Sequence, residues 1–204
     1  MRVVHYFDYK SPYAYLAQAE TRKLETDFAV ELEWLPYTLD IPSFLGSAEV
    51  DDHGQVISEN RSGHQWRRVR YAYMDCRREA NRRSLMLRGP RKVFDSSIAH
   101  IGMLYAKRAG DFRRYHALVF ERFWRRELDV EDAAAVARVL EESGVDAAGF
   151  AEFLRAGGRS EHDRIRTEAE AAGVFGVPSY LIDGELFWGS ERIPLVRERL
   201  ASAR

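Results

Sequence analysis

Phe7-Asp8-Tyr9-Lys10-Ser11-Pro12-Tyr13-Ala14-Tyr15-Leu16 is the stretch on which the reading of this chain turns. Ahead of it Val3, Val4, Tyr6 and Phe7 are nearly continuous, the pattern of a strand buried on both faces. Ser11-Pro12 then marks a helix start. A serine at the N-cap accepts from an orphan N–H, and proline at the first helical position lacks the N–H that would be orphaned there. The helix is predicted to run to about Thr26, with Tyr15, Leu16, Ala19 and Leu24 on its apolar side. Phe28, Val30, Leu32 and Trp34 alternate with polar residues, which predicts a second strand over 28–35. Such a unit takes a right-handed crossover if its strands are parallel.

The carboxyl end supplies the matching half. A helix is predicted over 160–173, capped by Ser160, with Ile165, Ala169 and Ala172 on one side. Gly173-Val174-Phe175-Gly176-Val177-Pro178-Ser179-Tyr180 follows, and two short strands, 179–183 and 185–188, flank the hairpin signal Asp183-Gly184. Gly189-Ser190 opens a last helix through Leu200. From 41 to 158 strand signals vanish. Residues 51–63 are polar and read as loop, and Trp66, Val69, Tyr73, Cys76 and Ala80 recur at helical spacing up to a stop at Gly89-Pro90. Further helices fit 94–109, 112–125, 129–142 and 146–156, with Asp129 and Asp146 as N-caps and Gly144 and Gly157 as stops. The fold class is α/β in the order β-α-β, helices, α-β-β-α. A core domain is expected from 1–40 and 159–204, with an inserted all-helical subdomain over 41–158.

The bulk numbers narrow the function classes. With 204 residues, 46% hydrophobic and 31% charged, the chain reads as one large globular domain or one domain with an insertion. A net charge of −1 gives no bias toward nucleic acid or anionic membrane. Cys76 is the one cysteine, which excludes an intrachain disulfide and a CxxC pair. No apolar run is long enough to span a bilayer and no charged-then-apolar leader opens the chain, so a cytoplasmic protein without membrane or nucleic-acid partners is expected. P-loop, GxGxxG and GxSxG motifs are lacking, and the six histidines show no metal-ligand spacing, so they read as structural or surface residues.

Each remaining feature has a bland and a chemical reading. Ser11 is an ordinary N-cap; it also sits where free N–H groups and a partial positive charge stabilise a thiolate. Val177-Pro178 is a strand start; a cis bond there would turn the Val177 N–H and C=O outward to pair with an extended peptide. Gly189-Ser190-Glu191-Arg192 is a capped helix start, or a seat for an amino-acid end, with N–H groups for a carboxylate and Glu191 for an ammonium. Trp188 walls a pocket or belongs to the core. The arginines of 61–92 read first as a solvated face and second as anion capture. Cys76, on the apolar side of its helix, reads as a buried inert thiol.

These same segments resemble the 2-hydroxychromene-2-carboxylate isomerase and kappa-class glutathione transferase family, a DsbA-like branch of the thioredoxin fold. The resemblance rests on residues 7–16, 173–178 and 183–192, and the element order matches over nearly the whole chain. It implies a thioredoxin-like core with glutathione as cofactor, a small-molecule substrate and a homodimer. Ser11 would hydrogen-bond the glutathione thiolate. Val177, ahead of a cis Pro178, would pair with the cysteinyl part, and Ser190 and Glu191 would hold the γ-glutamyl end. Tyr13 and Trp188 would line the pocket. In the insertion Asn60, Arg61 and Arg67 are the candidates. The implied reaction is a thiolate-assisted isomerisation in which the sulfur adds to a conjugated aromatic-derived carboxylate, permits bond rotation and is expelled. A kappa-like transferase and a non-redox binding protein are the alternatives. A thiol–disulfide oxidoreductase is disfavoured, because Ser11 and Ala14 stand at the two cysteine positions.

Overall fold

The computed structural model describes residues 1–202. Strand β1 (Val3–Phe7) is buried at every position and lies inside a four-stranded sheet of order β2-β1-β5-β6. Helix α1 (Pro12–Phe28) crosses back so that β2 (Leu32–Pro36) runs parallel to β1, pairing Val3 with Leu32 and Phe7 with Pro36. On the other side β5 (Ser179–Ile182) is antiparallel to β1, with Tyr6 opposite Ser179, and β6 (Glu185–Trp188) pairs back onto β5. The sheet therefore joins the two ends of the chain, and it sets the residue after β1 near the residue before β5.

Between them lie α2 (Ile41–Leu45), a two-stranded sheet of β3 (Ala48–Val50) and β4 (Val56–Glu59), and α3 (Gly63–Arg82). Helices α4 (Ser97–Arg108), α5 (Arg113–Arg125), α6 (Ala133–Glu142), α7 (Phe150–Arg155) and α8 (Gly157–Ala171) follow. After β6 a 3-10 turn, Ser190–Arg192, leads into α9 (Ile193–Ala201).

The core is aromatic. Trp34, Trp124, Tyr9, Tyr115, Tyr180 and Phe7 are among its largest fully buried side chains. His5 is 1% exposed, edge-on to Trp34 at 4.7 Å and stacked on Tyr180 at 4.8 Å. Thr21 and Tyr180 share a 2.6 Å hydroxyl contact that ties α1 to β5.

Several expectations move. The second strand begins at Leu32 rather than 28, because α1 continues to Phe28 and ends in a left-handed Ala29. The 51–63 loop contains β4. Its burial pattern is exposed throughout, so no hydrophobic alternation announces it, and the insertion holds this hairpin beside its helices. Asp51 shapes the hairpin turn by accepting the N–H groups of His53 and Gln55. Helix α3 stops at Arg82, ahead of Gly89-Pro90, where Ser84 enters the left-handed region. Asp132, not Asp129, caps α6 by accepting the Ala134 N–H, and Asp146 holds a turn through Ala148 while α7 starts at Phe150. Gly157 opens α8 instead of closing α7. Its neighbour Gly158 packs so closely on α4 that a Cβ would stand 2.5 Å from Ile101. The last helix is preceded by the 3-10 turn, so α9 itself begins at Ile193.

Candidate active site

The chain turns from β1 into α1 through Asp8-Tyr9-Lys10-Ser11, and each polar side chain in that turn is engaged. Ser11 is 3% exposed. Its N–H donates to the Asp8 carbonyl at 3.0 Å, and its Oγ accepts the Ala14 N–H at 3.2 Å, the N-cap bond expected of it. The same hydroxyl donates to the Val177 carbonyl at 3.4 Å. The Val177-Pro178 bond is cis. The amino-end hydroxyl and the carbonyl ahead of the cis proline are thus in direct contact at the N-terminus of a 17-residue helix.

The carboxyl-end wall is braced by its own backbone. Ser179 Oγ donates to the Gly176 carbonyl at 2.7 Å, and the Gly189 N–H donates to the Pro178 carbonyl at 2.8 Å. That second bond brings β6 back over the cis peptide. Trp188 is 49% exposed and lies against Phe175, ring centroids 4.8 Å apart. It covers Gly176, where a Cβ would stand 2.5 Å from the indole nitrogen, so only glycine allows this approach. Gly189 has φ +106, and the Glu191 carboxylate folds back over its Cα.

A cavity of about 1260 Å³ opens between these walls and the inserted segment, lined by Ser11, Tyr13, Arg61, Val177, Trp188 and Glu191 among others. Pro178, Ser190, Asn60 and Arg67 lie outside its walls. Asn60 is committed elsewhere: its Oδ1 accepts from the Ser47 N–H at 2.6 Å and seats the base of the β3–β4 hairpin. On the insertion side the guanidiniums of Arg61 and Arg70 approach the Trp66 ring at 5.0 and 5.5 Å. Tyr13 bonds Cys76 on α3, and burial pushes its hydroxyl up to about 12. Burial likewise pushes the Cys76 thiol up to about 11, against the opposing pull of that Tyr13 bond.

Sequence reasoning missed the groups directly behind Ser11. Asp8 is fully buried. Its carboxylate meets the Lys10 ammonium at 3.1 Å, the Ser96 hydroxyl at 2.6 Å, and the N–H groups of Lys10 and Leu39 at 3.1 and 2.8 Å. Burial pushes this carboxyl up, but Lys10, His100 and Ser96 outweigh that and hold it below the usual carboxylate range. The one signal was Asp8 and Lys10 at the end of an otherwise apolar strand. Among the described residues no group of three His, Cys, Asp or Glu side chains is placed to hold a metal, and no helix is long and apolar enough to cross a membrane.

Comparisons with known proteins agree with this architecture. The family model of the DSBA-like thioredoxin domain matches residues 2–201. A 2-hydroxychromene-2-carboxylate isomerase of Sphingobium xenophagum is 29% identical over 196 residues, covering 96% of this chain and 95% of that protein. A solved 2-hydroxychromene-2-carboxylate isomerase superposes with a TM-score of 0.75 at 23% identity, over 100% of this chain and 96% of the other. A probable DsbA oxidoreductase from Streptomyces coelicolor gives 0.78 at 19% identity, over 100% and 89%. Both structures share the fold.

Proposed function

From the premise that the chain belongs to the DSBA-like thioredoxin domain family, we propose that it is a glutathione-dependent isomerase of the 2-hydroxychromene-2-carboxylate type. The observation that carries the reading is the Ser11 hydroxyl in direct contact with the Val177 carbonyl, both residues lining one cavity at the start of α1. No cysteine stands on either wall, so the protein has no thiol of its own to offer there.

The residues present fit a thiol peptide. A donor–acceptor separation of 3.4 Å is a weak hydrogen bond, so Ser11 can re-aim its hydrogen at a sulfur at small cost. Val177 lines the cavity, and an extended chain would pair with its backbone there once the weak Ser11 bond to its carbonyl is released. Glycine at 176 keeps Trp188 close over that backbone. Glutathione, when bound, supplies the nucleophilic sulfur that adds to the substrate and leaves again. The Ser11 hydroxyl and the α1 N-terminus favour the anionic sulfur over the thiol. A lowering by about two units needs roughly 3 kcal/mol of differential stabilisation, the order a helix terminus plus one or two hydrogen bonds supplies. The arginines about Trp66 give the insertion wall a positive potential suited to an aromatic carboxylate.

The test is a glutathione titration against pH of wild type and Ser11→Ala, following thiolate absorbance at about 240 nm. The expected result is a lowered thiol pKa in wild type and a higher one in the variant. Equal values in both remove Ser11 from the mechanism. A kappa-like transferase would use the same cleft; turnover of a chlorodinitrobenzene-type electrophile without isomerase activity would establish that reading instead. A wild-type protein that fails to bind glutathione by calorimetry would leave a non-enzymatic thioredoxin-fold binding protein.

A further inference from the structure

The cavity beside Ser11 is larger than one small ligand needs. Small-molecule sites take about 300–1,000 Å³, and this one has about 1260 Å³. Its wall also carries a group of guanidiniums that the reading above leaves unused. Arg77 from α3, Arg126 from the end of α5, and Arg91 from the segment between them all line it.

Contacts within the fold gather these side chains. Arg126 Nε donates to the Gly89 carbonyl at 2.7 Å, and Gly89 packs on Tyr73, whose ring would lie 3.5 Å from a Cβ there. Arg77 stands one turn beyond Tyr73 on α3, and Arg91 two residues beyond Gly89. Burial pushes the Tyr73 hydroxyl up to about 12, against the pull of the Arg61, Arg77 and Arg126 guanidiniums. Burial also lowers Arg126, and its like-charged neighbours Arg91, Arg88 and Arg77 lower it further, with Asp52 opposing them. Asp52 meets Arg91 at 2.5 Å, and among the described residues it is the one carboxylate in an ion pair with any of these four arginines. Four cations therefore share one anion. Arg126 is also conformationally costly: it closes α5 at φ +63, a left-handed backbone that glycine adopts freely. With its Nε committed to Gly89, its two Nη groups remain as a planar pair of donors, the geometry that grips a carboxylate with two bonds.

We propose that Arg77 and Arg126 seat the carboxylate of an aromatic second substrate, with Arg91 beside them. The inference deepens the glutathione reading, on which the status of this anion as a second substrate rests; the seat itself follows from the guanidiniums alone. The cavity wall between the sulfur seat and the arginines is aromatic. Tyr13, two residues past Ser11, lines the cavity and bonds Cys76, the residue before Arg77, and Tyr73 lines the cavity on the same helix. A planar molecule lying on these rings directs its carboxylate to the guanidiniums and its conjugated carbons toward the thiolate. The arginines beside Trp66 then add potential, while Arg77 and Arg126 set the orientation and select an acid over its neutral analogue.

The probes are salicylate, an aromatic carboxylate, and salicylamide, its uncharged counterpart, each titrated by calorimetry into the whole protein with and without glutathione. Wild type is expected to bind salicylate at least about tenfold tighter than salicylamide. Arg77→Gln and Arg126→Gln should each weaken salicylate by about tenfold or more and leave salicylamide and glutathione unchanged. Arg126→Gly should lose salicylate equally with a melting temperature no lower than wild type, since it relieves the left-handed backbone; that separates a lost grip from a damaged fold. Arg88→Gln removes the same charge from the same neighbourhood but outside the cavity wall, and should change salicylate binding by less than about twofold. Salicylate bound no tighter than salicylamide, or weakened as much by Arg88→Gln as by Arg126→Gln, overturns the seat. Displacement of salicylate by glutathione assigns the guanidiniums to the cofactor's own carboxylates and overturns it too. A wild type that fails to bind glutathione yet binds salicylate through Arg77 and Arg126 sinks the glutathione reading and upholds the seat.

Discussion

At the scale of single residues, the site divides into what a local pattern announces and what only folding assembles. Ser11 and the cis Val177-Pro178 bond were legible because a cap and a strand-leading proline are local signals, and the structure puts the Ser11 hydroxyl 3.4 Å from the Val177 carbonyl. Asp8 was not legible as an ion-pair centre, since Ser96 lies 88 positions away and nothing in the spacing links them. Asp8→Asn is expected to destabilise the protein at pH 7 by roughly 3–5 kcal/mol, because it leaves the buried Lys10 ammonium without its counter-ion. The pH dependence has a definite sign. The Asp8 carboxyl is depressed in the folded protein, so its contribution is present above the usual carboxylate pKa and fades as the solution is acidified below it. Denaturant unfolding of both proteins should therefore show a gap that narrows below about pH 4; a constant gap would show that the ion pair is not what Asp8 contributes. Gly176→Ala tests the other wall. Its Cβ would meet the Trp188 indole at 2.5 Å, so the ring must move, and glutathione binding should weaken by about 1 kcal/mol in calorimetry while the melting temperature holds.

At the scale of elements, helices with one apolar side were readable to within a few residues, and their ends were not. Asp129 and Asp132 offer the same side chain as a cap, and only the packing of α6 selects the second. The β3–β4 hairpin escaped altogether because Val56 and Ile57 are 48% and 65% exposed, leaving no buried face to impose a period of two. Such an element draws little on the core, so its amides should exchange with deuterium well before those of β1. Protection in β4 equal to that in β1 would contradict this account. Helix α4 shows the opposite regime. A Cβ at Gly102 would stand 2.2 Å from the Tyr115 hydroxyl and 2.9 Å from Val136, so α4 meets α5 and α6 at that point with no spare room. Gly102→Ala should cost about 1–3 kcal/mol in denaturant unfolding, despite alanine's better helix propensity.

At the scale of the whole molecule, four buried histidines set the acid limit. Burial holds His5 down to about 3 and His162 to about 4, and it lowers His100 and His116 as well. The unfolded chain binds these protons from about pH 6.5 downward, whereas the folded chain resists until far lower. Stability is therefore complete above neutrality and falls as the pH drops through that window, by up to about 1.4 kcal/mol per pH unit for each ring. The denaturant midpoint should be level above pH 7 and fall steeply between about pH 6 and 4; a level profile down to pH 4 would mean the rings are protonated in the fold. Sequence reading placed the histidines as structural or surface without seeing that four of them are buried, because their partners come from both ends of the chain and from the insertion. Cys76 has a consequence of another kind. A sulfhydryl that is 1% exposed, anchored to Tyr13 and raised to about 11 presents almost no thiolate to peroxide or to glutathione disulfide. The one sulfhydryl should therefore stay reduced through an oxidative burst.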